Sequence, residues 1–206
     1  MAAPTSARAG ARRTRMNSAE RRAAIIDAAR PIFAEHGYHA TSTADIAAAA
    51  HCSEALLYRH FASKHALLLA VLEEGAAIAQ ERLYDTIADA DDPFATLCAK
   101  WAELSDDEEY RSVLRVRAQA ATLTQEPDLR ELLAGIRETF RGIIRGALAT
   151  SQERGHIRPE VDIDDLGRLY GGLTFAAAFA TAVEGSEEAA RLGHAAETLA
   201  AVVRPL

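Results

Sequence analysis

The chain has 206 residues, a formal net charge of −7 and a hydrophobic fraction of 49%. This length permits either one helical body or a small domain joined to a larger one, with a substantial buried core. Alanine is abundant and no run alternates Val, Ile or Thr with polar residues, so the composition predicts an all-α protein. The longest apolar stretch, residues 171–183, is shorter than the roughly 20 residues of a membrane span, so none is expected.

The charge is divided unevenly along the chain. Residues 1–64 contain nine Lys and Arg against five Asp and Glu, whereas residues 65–206 contain fourteen against twenty-five. A basic front segment joined to an acidic remainder is typical of a protein that presents one end to phosphate. For residues 65–206, solvated acidic helix faces are the simpler interpretation.

The two cysteines indicate neither a disulfide framework nor a zinc site. Cys52 and Cys98 lie far apart, without CxxC spacing, which fits a reducing cytoplasm. His51 and Cys52, with His60 and His65 nearby, leave a metal or redox sensor as an alternative. Because that spacing does not bring three ligands to one face of a helix, we expect no metal and no cofactor.

The first fifteen residues contain four arginines and no acid. They have the composition of a transit peptide but lack its amphipathic periodicity, so residues 1–17 are interpreted as a disordered basic arm. Met16 is an alternative start of the chain.

Helical periodicity and capping residues predict the order of the helices. Ser18 is expected to cap the first helix, Pro31 to bend it and Gly37 to end it. The predicted helices cover residues 18–37, 42–50, 53–61 and 63–84, continue with one that starts at Pro93, and then cover 105–123, 127–154, 162–183 and 186–204.

The second and third helices are short and joined by a tight turn, which is the pattern of a DNA-reading unit. Ser53 at the start of the third helix leaves backbone N–H groups free to bind an anion. The small core expected to hold the two helices at a fixed angle comprises Ile46, Ala47, Cys52, Leu57 and Phe61.

The last two helices are candidates for a dimer interface. The helix over 162–183 is apolar nearly all round after Gly171 and must therefore be covered on every side. Its partner is either the rest of the same chain or a second copy in a four-helix interface. The residues expected at that interface are Leu166, Gly167, Gly171 and Leu173 on the first helix, with Leu192, Ala196, Leu199 and Val203 on the second.

Residues 22–72 resemble the N-terminal domain of the TetR/AcrR family of transcriptional regulators. The resemblance is carried, in order and spacing, by residues 28–29, 33–38, 41–47 and 57–68. It implies a three-helix helix-turn-helix domain over 18–64, joined by a linking helix to an effector-binding and dimerisation domain over 65–206. It also implies a cytoplasmic homodimer, and a repressor that a small-molecule effector releases from a palindromic operator in double-stranded DNA.

The resemblance also assigns the DNA contacts. Hydroxyls, helix N-termini and a lysine charge bind phosphates and so fix the position of the protein on the DNA. Side chains near the start of a recognition helix reach base edges. The phosphate contacts would be Thr41, Thr43, Tyr58, His60 and Lys64. The base contacts would be Ser53, Glu54, Ala55 and Leu56. Arg12, Arg13 and Arg15 would enter an adjacent minor groove.

Two positions depart from the family pattern. His51 stands where relatives usually have Gly, so a left-handed backbone there would be strained. Glu54 places an acid where many relatives have a neutral or basic residue; it would weaken phosphate contact but could accept from a cytosine amino group. Leu56 could contact a thymine methyl. The operator is therefore expected to differ from those of well-studied relatives.

The implied effector cavity would lie in the C-terminal body. Its candidate lining residues could equally be plain core, because they occur at ordinary helical spacing. They are Trp101, Tyr110, Arg117, Gln119, Phe140, Tyr170, Thr174 and Phe179.

Two alternatives belong to other functional classes. One is an all-helical enzyme or lipid carrier, but no Ser/His/Asp order, glycine-rich phosphate loop or paired-carboxylate motif stands out. The other is a helical adaptor that binds only protein. The sequence therefore favours a regulator that is not an enzyme.

Overall fold

The computed structural model describes residues 16–101, 107–123, 125–183 and 186–205. These residues form α-helices and no strand, which confirms the predicted fold class. Among them, no helix has the length and apolar character needed to cross a membrane. The helices are α1 (Ser18–Ala40), α2 (Thr43–Ala49), α3 (Glu54–His60), α4 (Lys64–Ile87), α5 (Pro93–Ala99), α6 (Glu108–Ala120), α7 (Pro127–Glu153), α8 (Ile163–Val183) and α9 (Ser186–Val202).

Side-chain caps explain where several helices begin. Ser53 and Ser63 precede α3 and α4, and each accepts a hydrogen bond from the backbone N–H three residues later. The predicted cap of α1 is wrong by one residue. Asn17, not Ser18, caps α1, in a reciprocal pair with Glu20 that satisfies two backbone donors.

The backbone departs from regular geometry at two positions that bear on the helix-turn-helix unit. Gly37 has φ 75° and interrupts α1, which resumes to Ala40, whereas the dihedral angles at Pro31 remain helical. The non-helical geometry inside α1 therefore lies at Gly37 and not at Pro31. His51 has φ 51°, which confirms the left-handed turn expected between α2 and α3.

Two apolar cores hold the helices together. The first joins α1, α2, α3 and the start of α4 to residues of α6 and α7, with Ile46 and Leu57 fully buried in it. As predicted, Ala47 and Phe61 belong to this core, and Cys52 packs against it half-buried. The second joins α5, α7, α8 and α9 around Phe94 and Trp101. Because α4 contributes Leu67 to the first core and Leu83 to the second, it links the two mechanically.

The chain itself covers much of the last helix pair. α8 packs against α6, α7 and α9, and α9 also packs against α5. Leu166, Ala196 and Val203 are buried in the second core, so their assignment to a dimer interface is wrong. The corresponding leucines Leu173, Leu192 and Leu199 are half-buried against the same core.

Candidate functional site

The face of α3 opposite its buried Leu57 is open to solvent. Glu54 and Ala55 are exposed, Tyr58 is 48% exposed, and Ser53 at the helix start is exposed as well. Leu56 and His60 are half-buried. The first core fixes the angle of α3, and the helix therefore presents a rigid projecting surface.

Three polar side chains form a network between α2 and α3 on this surface. Thr43 Oγ1 donates to Glu54 Oε1 at 2.6 Å and lies 3.1 Å from the Tyr58 hydroxyl. Thr43 is half-buried, whereas the other two are exposed. The structure therefore brings together one predicted base contact and two predicted phosphate contacts, and a phosphate that binds Thr43 must compete with the Glu54 carboxylate.

Two other predicted phosphate contacts have structural roles. The Thr41 side chain is buried, and its hydroxyl donates to the Gly37 carbonyl at 2.7 Å, so the predicted phosphate contact is wrong. Lys64 Nζ donates to the carbonyls of Tyr38 and Thr41 at 2.8 and 2.9 Å. It also lies 4.5 Å from the Tyr38 ring centroid, a cation–π distance. Lys64 therefore holds the α1–α2 loop, and two of its three N–H donors are already used.

The remaining predicted DNA contacts, Arg12, Arg13 and Arg15, lie outside the described residues.

A cavity of about 680 Å³ lies between α4, α6, α7 and α8, beside Trp101. Its size is in the usual range of small-molecule sites. Six of the eight predicted residues line it: Trp101, Tyr110, Arg117, Phe140, Tyr170 and Thr174. Gly167 and Gly171, expected at the dimer interface, also line it, because one side of α8 forms a cavity wall.

The other two predicted lining residues lie elsewhere. Gln119 Nε2 donates to the Ala34 carbonyl of α1 at 3.0 Å, so Gln119 joins α6 to the helix-turn-helix unit. Phe179 is 55% exposed and absent from the cavity wall. With Leu169 and Val202, it forms a set of exposed apolar side chains on α8 and α9, to which Phe175 belongs although it also lines the cavity. The sequence could not identify this set, because a helix apolar on every side does not reveal which side its own chain covers.

The polar groups of the cavity are cationic or neutral. Four arginines line it (Arg117, Arg137, Arg141 and Arg168), and none of the described lining residues is acidic. Arg117 lies 5.1 Å from the Phe140 ring centroid, and burial lowers the pKa of its guanidinium. Burial raises the pKa of Tyr110 and of Tyr170, so both phenols are neutral at physiological pH.

α6 is also connected to the helix-turn-helix unit by ion pairs. The buried Arg30 of α1 lies 3.1 Å from Glu109 at the start of α6. Glu109 also lies 2.6 Å from Arg82 of α4. A helix that forms one wall of the cavity is thus joined to the two helices that carry the α2–α3 unit.

The described residues include one group of three ligand-type side chains close enough to share a metal ion: His65, Glu126 and Asp128. Sequence reasoning missed this group, which contains neither Cys52 nor the other histidines once considered for a sensor. His65 Nε2 lies 2.9 Å from Asp128 Oδ2, so this pair is satisfied without an ion. Burial raises the pKa of the Cys98 thiol to about 12, which makes it a poor nucleophile.

Comparison with known proteins identifies the helix-turn-helix unit. Residues 25–71 match the family model described as bacterial regulatory proteins, tetR family. This unit is therefore similar to that of the TetR family of transcriptional regulators. The fatty acid metabolism regulator protein of Bacillus subtilis (strain 168) is 27% identical over 143 residues, which are 68% of this chain and 72% of the relative.

Solved structures of TetR-type regulators share the fold. A transcriptional regulator from Saccharomonospora viridis in complex with choline superposes with a TM-score of 0.77 at 23% identity, covering 88% of this chain and 95% of the other. The regulator FadR from Bacillus subtilis in complex with stearoyl-CoA superposes with a TM-score of 0.70 at 20% identity, covering 88% and 97%. The relative and the two solved structures named above are regulators, which does not favour the enzyme interpretation.

Proposed function

We propose that this protein is a homodimeric repressor of the TetR family that binds a near-palindromic operator and is released from it by a small-molecule effector. In this proposal residues 18–64 read DNA, and residues 65–206 bind the effector and the second copy. The observation that carries the DNA part is the rigid, solvent-open face of α3 beside the Thr43–Glu54–Tyr58 network.

In this proposal α3 enters the major groove. Ser53, Glu54, Ala55 and Leu56 lie at its start, from which side chains reach base edges. The hydroxyls of Thr43 and Tyr58, with His60, contact phosphates, and the basic residues Arg12, Arg13 and Arg15 contact the adjacent minor groove. Lys64 acts mainly by holding the α1–α2 loop, and its third N–H remains available to a phosphate.

The dimer would form through the exposed side of α8 and α9. Leu169, Phe175 and Phe179 recur along α8, and Val202 lies near the end of α9. Exposed apolar residues grouped in this way mark an interaction surface. A two-fold dimer would place two α3 helices about 34 Å apart in successive major grooves.

Effector control would pass through α6. This helix supplies Tyr110 and Arg117 to the cavity, and it contacts α1 through Gln119 and Glu109. A ligand that shifts α6 would therefore change the position of α1 and α4, and with them the separation of the two reading helices. Coupling of this kind between sites is typically worth about 1–3 kcal/mol. The stearoyl-CoA and choline complexes of structural relatives support a small-molecule effector here.

The test is selection of bound duplexes from a random pool with the purified full chain. The expected result is enrichment of a near-palindrome with half-sites one helical turn apart. No enrichment at low ionic strength, or a strictly monomeric protein in light scattering, would overturn the proposal.

The phosphate assignment has its own test on the selected operator. Tyr58→Phe keeps the ring and removes the hydroxyl, so it should weaken binding by about 1 kcal/mol, equally for operator and scrambled duplex. Tyr84→Phe is the matched control, since Tyr84 is similarly exposed (50%) but lies on α4, away from α3. Equal affinities for wild type and Tyr58→Phe would remove Tyr58 from the contact set.

A further inference from the structure

We propose that the effector is an amphipathic anion, a molecule with an apolar part and a carboxylate or phosphate group, and that Arg117 binds its acid. The inference rests on the proposed effector function of the cavity and concerns the chemistry of the ligand that enters it.

The first observation is the charge of the wall. The described residues that line the cavity include four arginines and no acid. Two of them have acidic partners on their own helices: Arg141 pairs with Glu138 at 2.9 Å, and Arg168 pairs with Asp165. No carboxylate of the described residues pairs with Arg117 or Arg137. The cavity therefore has a positive field that an anionic group would neutralise.

The second observation is the position of Arg117. Its guanidinium lies against Phe140 and is desolvated enough to lower its pKa, whereas Arg137, Arg141 and Arg168 are exposed. A cation with few water contacts gains most from a charged partner, since the interaction is strong at low dielectric. Guanidinium also matches carboxylate and phosphate oxygens in a two-donor geometry. Arg117 is thus the arginine best placed to bind the acid.

The other residues that line the cavity require the ligand to have an apolar part. Leu83, Leu114, Leu133, Ile144 and Ala177 line the cavity together with the aromatic rings. Burial of hydrocarbon contributes about 0.8 kcal/mol for each CH₂ group. A small inorganic anion would leave this surface unfilled, so the ligand is an amphiphile and not a free phosphate.

The test uses the intrinsic fluorescence of Trp101, the single tryptophan of the chain, and needs no DNA. The full-length protein is titrated with decanoate, decyl phosphate, decanol and decyltrimethylammonium, all below their micelle concentrations. We expect at least one anion to bind about tenfold or more tightly than both the alcohol and the cation. The anion that binds more tightly shows whether the acid group is a carboxylate or a phosphate. If decanol or the cation binds as tightly as the anions, or if no ligand changes the emission, the proposal is wrong.

Matched variants test which arginine binds the acid group of the ligand. Arg117→Gln should weaken binding of the preferred anion about tenfold or more and leave decanol binding unchanged. Arg145→Gln is the control, because Arg145 lies on the same helix as Arg137 and Arg141 but pairs with Asp164 outside the cavity. An unchanged anion preference in Arg117→Gln would overturn the role of Arg117. If that variant does not fold, the wild-type ligand series still decides the charge preference, and Arg137→Gln should reduce anion affinity by a smaller factor.

The outcome can be separated from that of the proposed function. If an operator is selected but anions do not bind more tightly than the alcohol and the cation, only the proposed ligand class is refuted. Preferential anion binding without a selected operator would refute only the DNA function.

Discussion

The α2–α3 surface and the effector cavity differ in how their polar groups are satisfied. On the surface, Thr43 bonds Glu54, and the Ser53 hydroxyl caps its own helix. In the cavity, the Arg117 guanidinium has no hydrogen-bonding or acidic partner among the described residues. In the proposed function, the first site exchanges its own bonds to bind DNA, whereas the second gains a charged partner from the ligand. An unpaired charge in a cavity is therefore better evidence for ligand chemistry than an exposed polar group.

The largest expected effect comes from removing the core side chain that lies beneath the α2–α3 surface. Leu57→Ala leaves a cavity in the first core and should lower the free energy of unfolding by about 2–5 kcal/mol. Leu56→Ala removes the same atoms from a half-buried neighbour and should cost clearly less. Urea unfolding measures both. Equal losses would mean that Leu57 does not anchor α3.

A second change tests how closely Trp101 packs against α9. A Cβ on Gly193 of α9 would meet Trp101 Cδ1 at 2.9 Å, so Gly193→Ala forces the indole to move. We expect a loss of about 1–3 kcal/mol and a shift of Trp101 emission. Gly142→Ala is the control, since nothing lies within 4 Å of its Cβ position and α7 should gain about 0.5–1 kcal/mol. Stabilisation by both substitutions would contradict the close contact.

A third change tests the connection between the two regions. Glu109→Ala removes the acid shared by Arg30 and Arg82, and it should reduce the coupling between effector and operator by about 0.5–2 kcal/mol. The measurement is the ratio of operator Kd with and without the bound decyl anion. Glu108→Ala is the control, because Glu108 pairs only with Arg111 and Arg115 of its own helix. Equal coupling in both variants would exclude this route.

The smallest effect concerns the turn before α3. His51 has φ 51°, where a side chain is strained and glycine is not. His51→Gly should therefore stabilise the fold by about 0.5–1 kcal/mol, because relief of strain exceeds the entropy that glycine loses on folding. His51→Ala keeps a Cβ and should show no gain. Thermal unfolding of the two variants distinguishes these outcomes, and a gain in His51→Ala would show that backbone strain is not the cause.

The sequence by itself determined features whose partners lie within a few residues. The serine caps of α3 and α4 and the all-helical class follow from local hydrogen bonding and composition, whereas the left-handed His51 was expected only from the family resemblance. Six of the eight residues named for the cavity that the resemblance implies also line it, although helical spacing alone could not distinguish them from plain core.

Only the tertiary structure decided the rest. Lys64 bonds carbonyls 23 and 26 residues away, and Gln119 bonds one 85 residues away, so neither partner has a local signal. The side of α8 that faces solvent depends likewise on which helices pack against the others. Partners distant in sequence meet only when the chain buries its apolar surface, and that packing placed Thr41 inside, Phe179 outside and Arg117 in a cavity whose described lining residues include no acid.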